Sequence, residues 1–397
     1  IPSNEELAAR LAGQAEATLG VKVTVGSVAW QMFPPSLLIE DVATVQPEPI
    51  RFARLVARPA LNDLLHRRLR IAHLHVQDAV LPQLSLRALK VKPADPGAGT
   101  PQVLVDQLRF TNLTWITRYG TRLEFDGHAR FDAGWRPAEV EITRPGVKPL
   151  TRLTLAREGD ADRWKVGLAL GGGTADGQIA LLQDKQGKLQ LTGQLAPRNL
   201  DVDSVLAAFK RHSAVDGKAS GSTTLSASGE AVGELARSLH TRTEFTVAGA
   251  TLLHIDVDKA IRSAGRDRAG QTTLQSLAGQ MDTQNTPDGM VVTYSAIQAK
   301  GETFSARGEG TIANRHIDGA LTVDLVGGLI GVPLKVSGPL AKPQVTVPAS
   351  ALAGAAVGTV VLPVIGTAIG ASVGAAIGKL FGGDDRKENP VPKTPPR

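Results

Sequence analysis

The chain reads as a mainly β protein built from antiparallel strands, with an N-terminal helix, a few short helices and a C-terminal apolar helical segment. Three observations predict this. Apolar and polar residues alternate with a period of two over many short segments, as half-solvated strands require. Turn chemistry joins those segments, as at Asp184-Lys185-Gln186-Gly187 and Pro287-Asp288-Gly289, and strands do not alternate regularly with long helices. A parallel α/β sheet is therefore not expected. Finally, residues 349–378 carry no charge at all.

Residues 4–19 are expected to be helical: Ser3 suits the N-cap, Glu5 and Glu6 favour the positive end of the dipole, and Gly20 is a stop. Leu7, Leu11, Ala15 and Leu19 make an apolar stripe at helical spacing. From Val21 the period changes to two, with Pro34-Pro35 marking a turn before Leu37-Leu38-Ile39. Further strands are predicted over 50–57, 69–76 and 80–89, with a short helix over 59–66. Residues 90–102, KVKPADPGAGTPQ, read as a loop and as the best boundary in the first half.

The clearest strand follows over 121–131. Leu123, Phe125, Gly127, Ala129 and Phe131 occupy one face, and Arg122, Glu124, Asp126, His128 and Arg130 the other. The pattern returns with Trp164, Val166, Leu168 and Leu170, over 189–195, with Phe304, Ala306, Gly308, Gly310 and Ile312, and over 319–325 with Leu321 and Val323. Asp201-Val202-Asp203 and Asp256-Val257-Asp258 each open a short helix ending in basic residues, an internal similarity at an offset of 55 residues. The last strands are expected over 332–337 and 345–347.

In the uncharged stretch Gly354, Gly358, Gly366, Gly370, Gly374 and Gly378 fall on one four-residue frame, with Pro363 beside its only break. Each glycine costs a soluble helix about 1 kcal/mol relative to alanine, whereas in lipid small residues at this spacing let helices pack closely. Neither half, of roughly 21 and 24 Å, crosses a hydrocarbon core of about 30 Å alone. One kinked span or a hairpin of two glycine-striped halves follows, the hairpin being preferred, with membrane insertion of residues 349–382 expected. Residues 384–397, rich in proline and charge, fit a disordered tail.

The chemistry-bearing patterns are few. Without cysteine the chain holds no disulfide framework or thiolate metal site. His73 and His75 share a strand face without a third ligand, and His254 beside Asp256 and Asp258 has a counterpart, Asn199, that lacks the imidazole, so capping is favoured over metal. Gly171-Gly172-Gly173 lies between strands and reads as a hairpin rather than a phosphate loop. No nucleophile elbow or metalloprotease helix occurs, so no enzyme, cofactor or metal is expected. The net charge of +6 is mild, and its one cluster, Arg51, Arg54, Arg58, Arg67, Arg68 and Arg70, fits either a solvated face or anionic headgroups. No aromatic interleaving supports nucleic acid.

Two stretches resemble the AsmA family of bacterial envelope proteins. GVKVTVGSVAWQMFPPSLLIEDVATV with RFARLVARPALNDLLHRRLRIAHLHVQDAVL resembles the family's opening, and SLAGQMDTQNTPDGMVVTYSAIQAKGETFSARGEGTIANRHIDGALTVDL with VPLKVSGPLAKPQVTVP its closing domain. The resemblance implies an elongated, curved antiparallel sheet, a half-barrel with an apolar groove, lying in the periplasm of a Gram-negative bacterium. It also implies an inner-membrane anchor before residue 1 and a role in phospholipid movement or outer-membrane homeostasis. The resulting organisation is a helix over 1–20, an AsmA-like β region over 21–92, a loop over 93–101, a continued β-groove over 102–347, the glycine-rich segment over 348–383 and a tail.

The physics runs the same way, because many amphipathic strands with few helices leave an apolar face uncovered. That face closes on itself as a sandwich or barrel, or it holds something apolar. Phospholipid acyl chains against Leu123, Phe125, Ala129, Phe131, Trp164, Val166, Leu168, Leu170, Phe304, Ile312, Leu321 and Val323 are one expectation. A closed scaffold that assembles envelope partners is the other.

Overall fold

The structure is a computed structural model that describes residues 3–60, 70–89, 104–132, 136–230, 232–263, 267, 269–326, 331–340 and 342–346. The expected apolar segment and tail, with Gly354, Gly358, Pro363, Gly366, Gly370, Gly374 and Gly378, lie outside the described residues, as do Arg67 and Arg68. Helix α1 (Asn4–Leu19) is capped as its sequence predicts. Ser3 Oγ accepts from the Glu6 N–H at 3.2 Å, Glu6 Oε2 accepts from the Ser3 N–H at 3.2 Å, and left-handed Gly20 closes the last turn.

The twenty strands among the described residues all belong to one curved, open sheet. Strands β1 (Val23–Met32), β2 (Pro35–Thr44), β3 (Arg51–Pro59) and β4 (Arg70–Pro82) pair in chain order, each antiparallel to the last. β4 then pairs in parallel with β5 (Leu104–Ile116), from Arg70 opposite Leu104 to Pro82 opposite Ile116. A parallel pairing needs a crossover of a dozen or more residues, and the proline- and glycine-rich run after β4 supplies that length. The strands on either side of that run are therefore neighbours in one sheet.

Beyond β5 every pairing is antiparallel. Strands β6 (Arg122–Phe131), β7 (Pro137–Thr143), β8 (Arg152–Arg157), β9 (Arg163–Leu170), β10 (Gly173–Gln183) and β11 (Leu189–Arg198) follow in sequence. Both β11 and the short β12 (Leu200–Asp201) pair with β13 (Val215–Gly229). Then come β14 (His240–Leu252), β15 (Thr272–Thr286), β16 (Gly289–Gly301), β17 (Phe304–Ala313), β18 (His316–Leu325), β19 (Val332–Pro339) and β20 (Gln344–Thr346).

Among the described residues four short helices sit at strand ends: α2 (Gln83–Ala88), α3 (Val202–Ala208), α4 (Val232–Ser238) and α5 (Val257–Arg262). The aspartates of the repeated motif are caps, since Asp201 Oδ1 accepts from the Ser204 N–H at 2.8 Å and Asp256 Oδ1 from the Lys259 N–H at 3.0 Å. Helix α2 replaces part of the strand expected over 80–89. Its residues alternate like a strand, but tertiary contacts hold the turn: Ser85 Oγ donates to the Glu48 carbonyl, and Arg87 Nη2 to the Thr286 carbonyl at 3.0 Å. The helix expected over 59–66 begins on Pro59, the last residue of β3, and its remainder from 61 lies outside the described residues.

Contacts such as Arg87 to Thr286 show how far the sheet coils. Arg315 stacks on the Tyr119 ring at 5.2 Å, and Arg118 lies so close to Gly289 that a Cβ there would meet its Nη1 at 2.9 Å. These contacts join the β5–β6 turn at one end of the strands to the β15–β16 and β17–β18 turns at the opposite end. A right-handed strand twist of about 20–25° per neighbour, accumulated over the steps from β5 to β15, gives roughly half a turn or slightly more. That rotation brings opposite strand ends together. Glycine permits the tight curvature: a Cβ on Gly177 would lie 1.9 Å from the Gln194 carbonyl oxygen. In the first half, left-handed residues crease the strands at Asp41, Asp78 and Asn112, and Asn112 Nδ2 donates to Asp78 Oδ1 at 2.6 Å.

The main packed cluster lies between β14 and β20. Val247, Ala250, Val257, Leu274, Phe304, Val323, Leu325, Val332, Leu334 and Val345 are buried together, with Val257 of α5 closing one end.

Candidate functional site

Strand register divides the sheet into two chemically distinct faces. Residues directly opposite one another share a face, so one row can be followed strand by strand. It runs Trp30, Leu37, Ala57, Leu74, Leu108, Ala129, Val140, Leu155, Val166, Gly177 and Leu195. It continues through Thr223, Thr243, Met281, Tyr294, Gly310, Gly319, Val336 and Val345. This row crosses every strand except the two-residue β12 and contains no charge. The row beside it on the other face runs Arg58, His73, Gln107, Arg130, Glu139, Ala156, Lys165, Gln178 and Gln194, then Thr224, Arg242, Asp282, Thr293, Thr311, Asp318, Ser337 and Gln344. Ala156 is its single apolar member.

Burial follows chemistry. Most of the polar row is exposed, whereas the apolar row is buried or half-buried everywhere but Trp30. Helices α2 to α5 have six or seven residues each and stand at strand ends, where Val202 and Val257 pack against the apolar cluster, so these helices cover the apolar face only toward its margins.

The expected acyl-chain residues fall on this apolar face, and they divide by burial. Val166 pairs with Leu155 and Gly177, Leu168 with Leu153 and Ala175, Ala129 with Leu108 and Val140, and Leu123 with Trp115. Phe125, Leu168 and Ile312 are half-covered. Phe131 lies at the end of β6 opposite Pro137, and Leu170 at the end of β9 opposite Gly173. Trp164 is buried, its indole N–H donating to the Pro137 carbonyl. Phe304 and Val323, with Leu321 packed against them, belong to the enclosed cluster between β14 and β20. Leu123, Ala129, Val166 and Leu170 are buried too, so between β6 and β11 the half-covered part of the face is formed by residues such as Phe125, Leu153, Leu155 and Leu168.

The basic residues are also dispersed. Arg54 and Arg58 project from the polar face, beside Arg109, His73, His75 and His128. Arg70 is engaged, its Nε lying 2.8 and 3.0 Å from the two Asp106 carboxylate oxygens. Exposed Arg51 lies opposite Val80 and Ala43. Burial first, and then Arg109, Arg54 and Arg58, push His75 below its ordinary value of 6.5, while its Nε2 lies 3.2 Å from Thr111 Oγ1. The unfolded chain therefore takes up this proton more readily, and the related stability is lost as pH falls below 6.5. His75→Gln is expected to reduce the drop in melting temperature between about pH 7.5 and 5. An unchanged pH dependence would contradict this assignment.

Arg144 was not singled out by the sequence patterns. It follows β7 two residues after Ile142, so the period of two carries it onto the apolar face. Its guanidinium carbon stands 5.3 Å from the Phe125 ring centre and 5.8 Å from that of Phe209, the C-cap of α3. Nε donates to the Glu124 carbonyl at 3.2 Å, and Nη2 lies 3.7 Å from Glu124 Oε2. The side chain is 3% exposed, and burial pushes its pKa down against the opposing pull of Glu124. A charge at an apolar-face position of the alternation is the signal that could have found it.

No described helix is long and apolar enough to cross a membrane. Among the described residues no group of three potential metal ligands gathers. No family model, curated protein or solved structure compared with the chain gives a match.

Proposed function

We propose that this chain is a lipid-handling protein of the AsmA type, binding phospholipid acyl chains along the apolar face of its curved sheet. The single observation that carries the reading is the uncharged register row, which crosses every strand but β12 while the described helices form no layer over it. Burying apolar surface stabilises by about 25 cal/mol per Å², so acyl chains laid across β6 to β11 would gain what a second protein layer otherwise supplies. In this reading the sheet is an elongated half-barrel whose inner surface is the groove. Its place is the periplasm of a Gram-negative bacterium, held to the inner membrane by an anchor before residue 1. The activity is non-enzymatic and contributes to phospholipid transport or outer-membrane homeostasis.

Native mass spectrometry and lipid extraction of the purified chain test the proposal. Phospholipid is expected to co-purify, and to exchange with added vesicles of phosphatidylglycerol and phosphatidylethanolamine. A lipid-free chain that takes up nothing from such vesicles would support the closed scaffold instead.

A further inference from the structure

Arg144 and Thr151 present a pair of polar atoms that the fold leaves without partners. They face each other across the β7–β8 connection, the Arg144 N–H donating to the Thr151 carbonyl at 3.1 Å. Arg144 Nη1 and Thr151 Oγ1 are both buried, and neither has a hydrogen-bond partner among the described residues. Leaving such atoms unpaired is costly, and for a charged group more so.

The local charge favours an anion as the partner. Glu124 is shared by two cations, Arg144 and Lys210, whose Nζ lies 3.5 Å from Glu124 Oε1. One carboxylate against two cations leaves one positive charge over. Phe125 and Phe209 supply apolar walls on which the guanidinium is stacked. A guanidinium edge beside a hydroxyl, between aromatic rings at the margin of an apolar face, matches a phosphate group attached to an apolar body. Phe209 is half-buried at the C-cap of the seven-residue α3, and Lys210 after it is left-handed. Both atoms are buried, so a ligand reaches them only when a neighbouring side chain, such as the half-buried Phe209 stacked on the guanidinium, moves aside.

We infer that Arg144 and Thr151 form a phosphate-binding subsite at one margin of the apolar face, holding the headgroup phosphate of a lipid whose chains lie along β6 to β11. The inference rests on the acyl-chain reading, and the test separates the two. The full chain is titrated by calorimetry with a short-chain phosphatidylglycerol, with a diacylglycerol of the same chains, and with inorganic phosphate. The phosphatidylglycerol is expected to bind about tenfold more tightly than the diacylglycerol, as one charge-assisted contact provides. Arg144→Gln should remove that preference while leaving the diacylglycerol affinity unchanged, and Thr151→Val should reduce it.

A folded Arg144→Gln that retains the preference would overturn the subsite. If that variant fails to fold, Arg144→Lys keeps the charge without the planar fork. Loss of preference in Arg144→Lys and Thr151→Val then supports the subsite, and full retention in both overturns it. If the diacylglycerol does not bind the parent chain, the acyl-chain reading fails. Arg144-dependent binding of inorganic phosphate alone would then identify a free phosphate as the ligand, and no binding of any probe would overturn both.

Discussion

Val323→Asp is expected to unfold the C-terminal half of the sheet, at a cost of about 4 kcal/mol or more. Val323 is 1% exposed and pairs with Ala306 on β17 and Val332 on β19. Its neighbours in the cluster include Leu325 and Leu334, which offer a carboxylate no polar partner. The aspartate must therefore be buried unpaired, take a proton, or force the strands apart. Urea unfolding followed by hydrogen exchange of β17 to β19 measures the effect. A cost below about 1 kcal/mol would mean that this cluster is not the closed core its burial indicates.

Leu155→Asp is expected to do the opposite: retain the fold and lose the lipid. Leu155 lies in the apolar row between Val140 and Val166, yet it is only half-buried. Water can reach a carboxylate there, so the penalty to the folded chain is of order 1 kcal/mol. A bound acyl chain removes that water, and the charge then opposes binding by several kcal/mol, a loss of about a hundredfold or more in affinity. Circular dichroism and melting check the fold, and lipid extraction checks the loading. If Leu155→Asp unfolds the chain as Val323→Asp does, the face between β6 and β11 is a packed core and has no room for lipid.

The contrast between these two positions was not legible in the sequence. Both Val323 and Leu155 belong to alternating runs, and alternation reports which residues share a face without reporting what covers that face. The enclosing residues of β14 to β20 come from strands and a helix tens of residues apart, and only register places them together. Local chemistry was readable where it acts locally. The Ser3 N-cap, the caps at Asp201 and Asp256, the Gly171-Gly172 hairpin and the two faces of β6 all stand as their residues predict.

What escaped is non-local. The parallel pairing of β4 with β5 depends on where a chain returns after a long crossover, and Pro- and Gly-rich residues announce a break without announcing the return. The coil that sets Arg87 against the Thr286 carbonyl sums small twists over many strands, none of which has a residue signature. Helix α2 escaped because Ser85 and Arg87 hold it through partners on distant segments. Arg144 was visible as a charge at an apolar-face position. Its stacking on Phe125 and Phe209 required α3 to be brought over the ends of β6 and β7.

In the proposed function one face of the sheet meets lipid and the other does not, and adjacent residues of a single strand test this. Leu155 and Ala156 on β8 belong to opposite faces, since Leu155 pairs with Val140 and Val166 and Ala156 with Glu139 and Lys165. A photoreactive phenylalanine analogue placed at each position in turn, irradiated in the presence of phosphatidylglycerol vesicles and analysed by mass spectrometry, reports which face touches acyl chains. A phospholipid adduct is expected from position 155 and none from position 156. Equal labelling at both positions, or none at 155 in a folded chain, would contradict it.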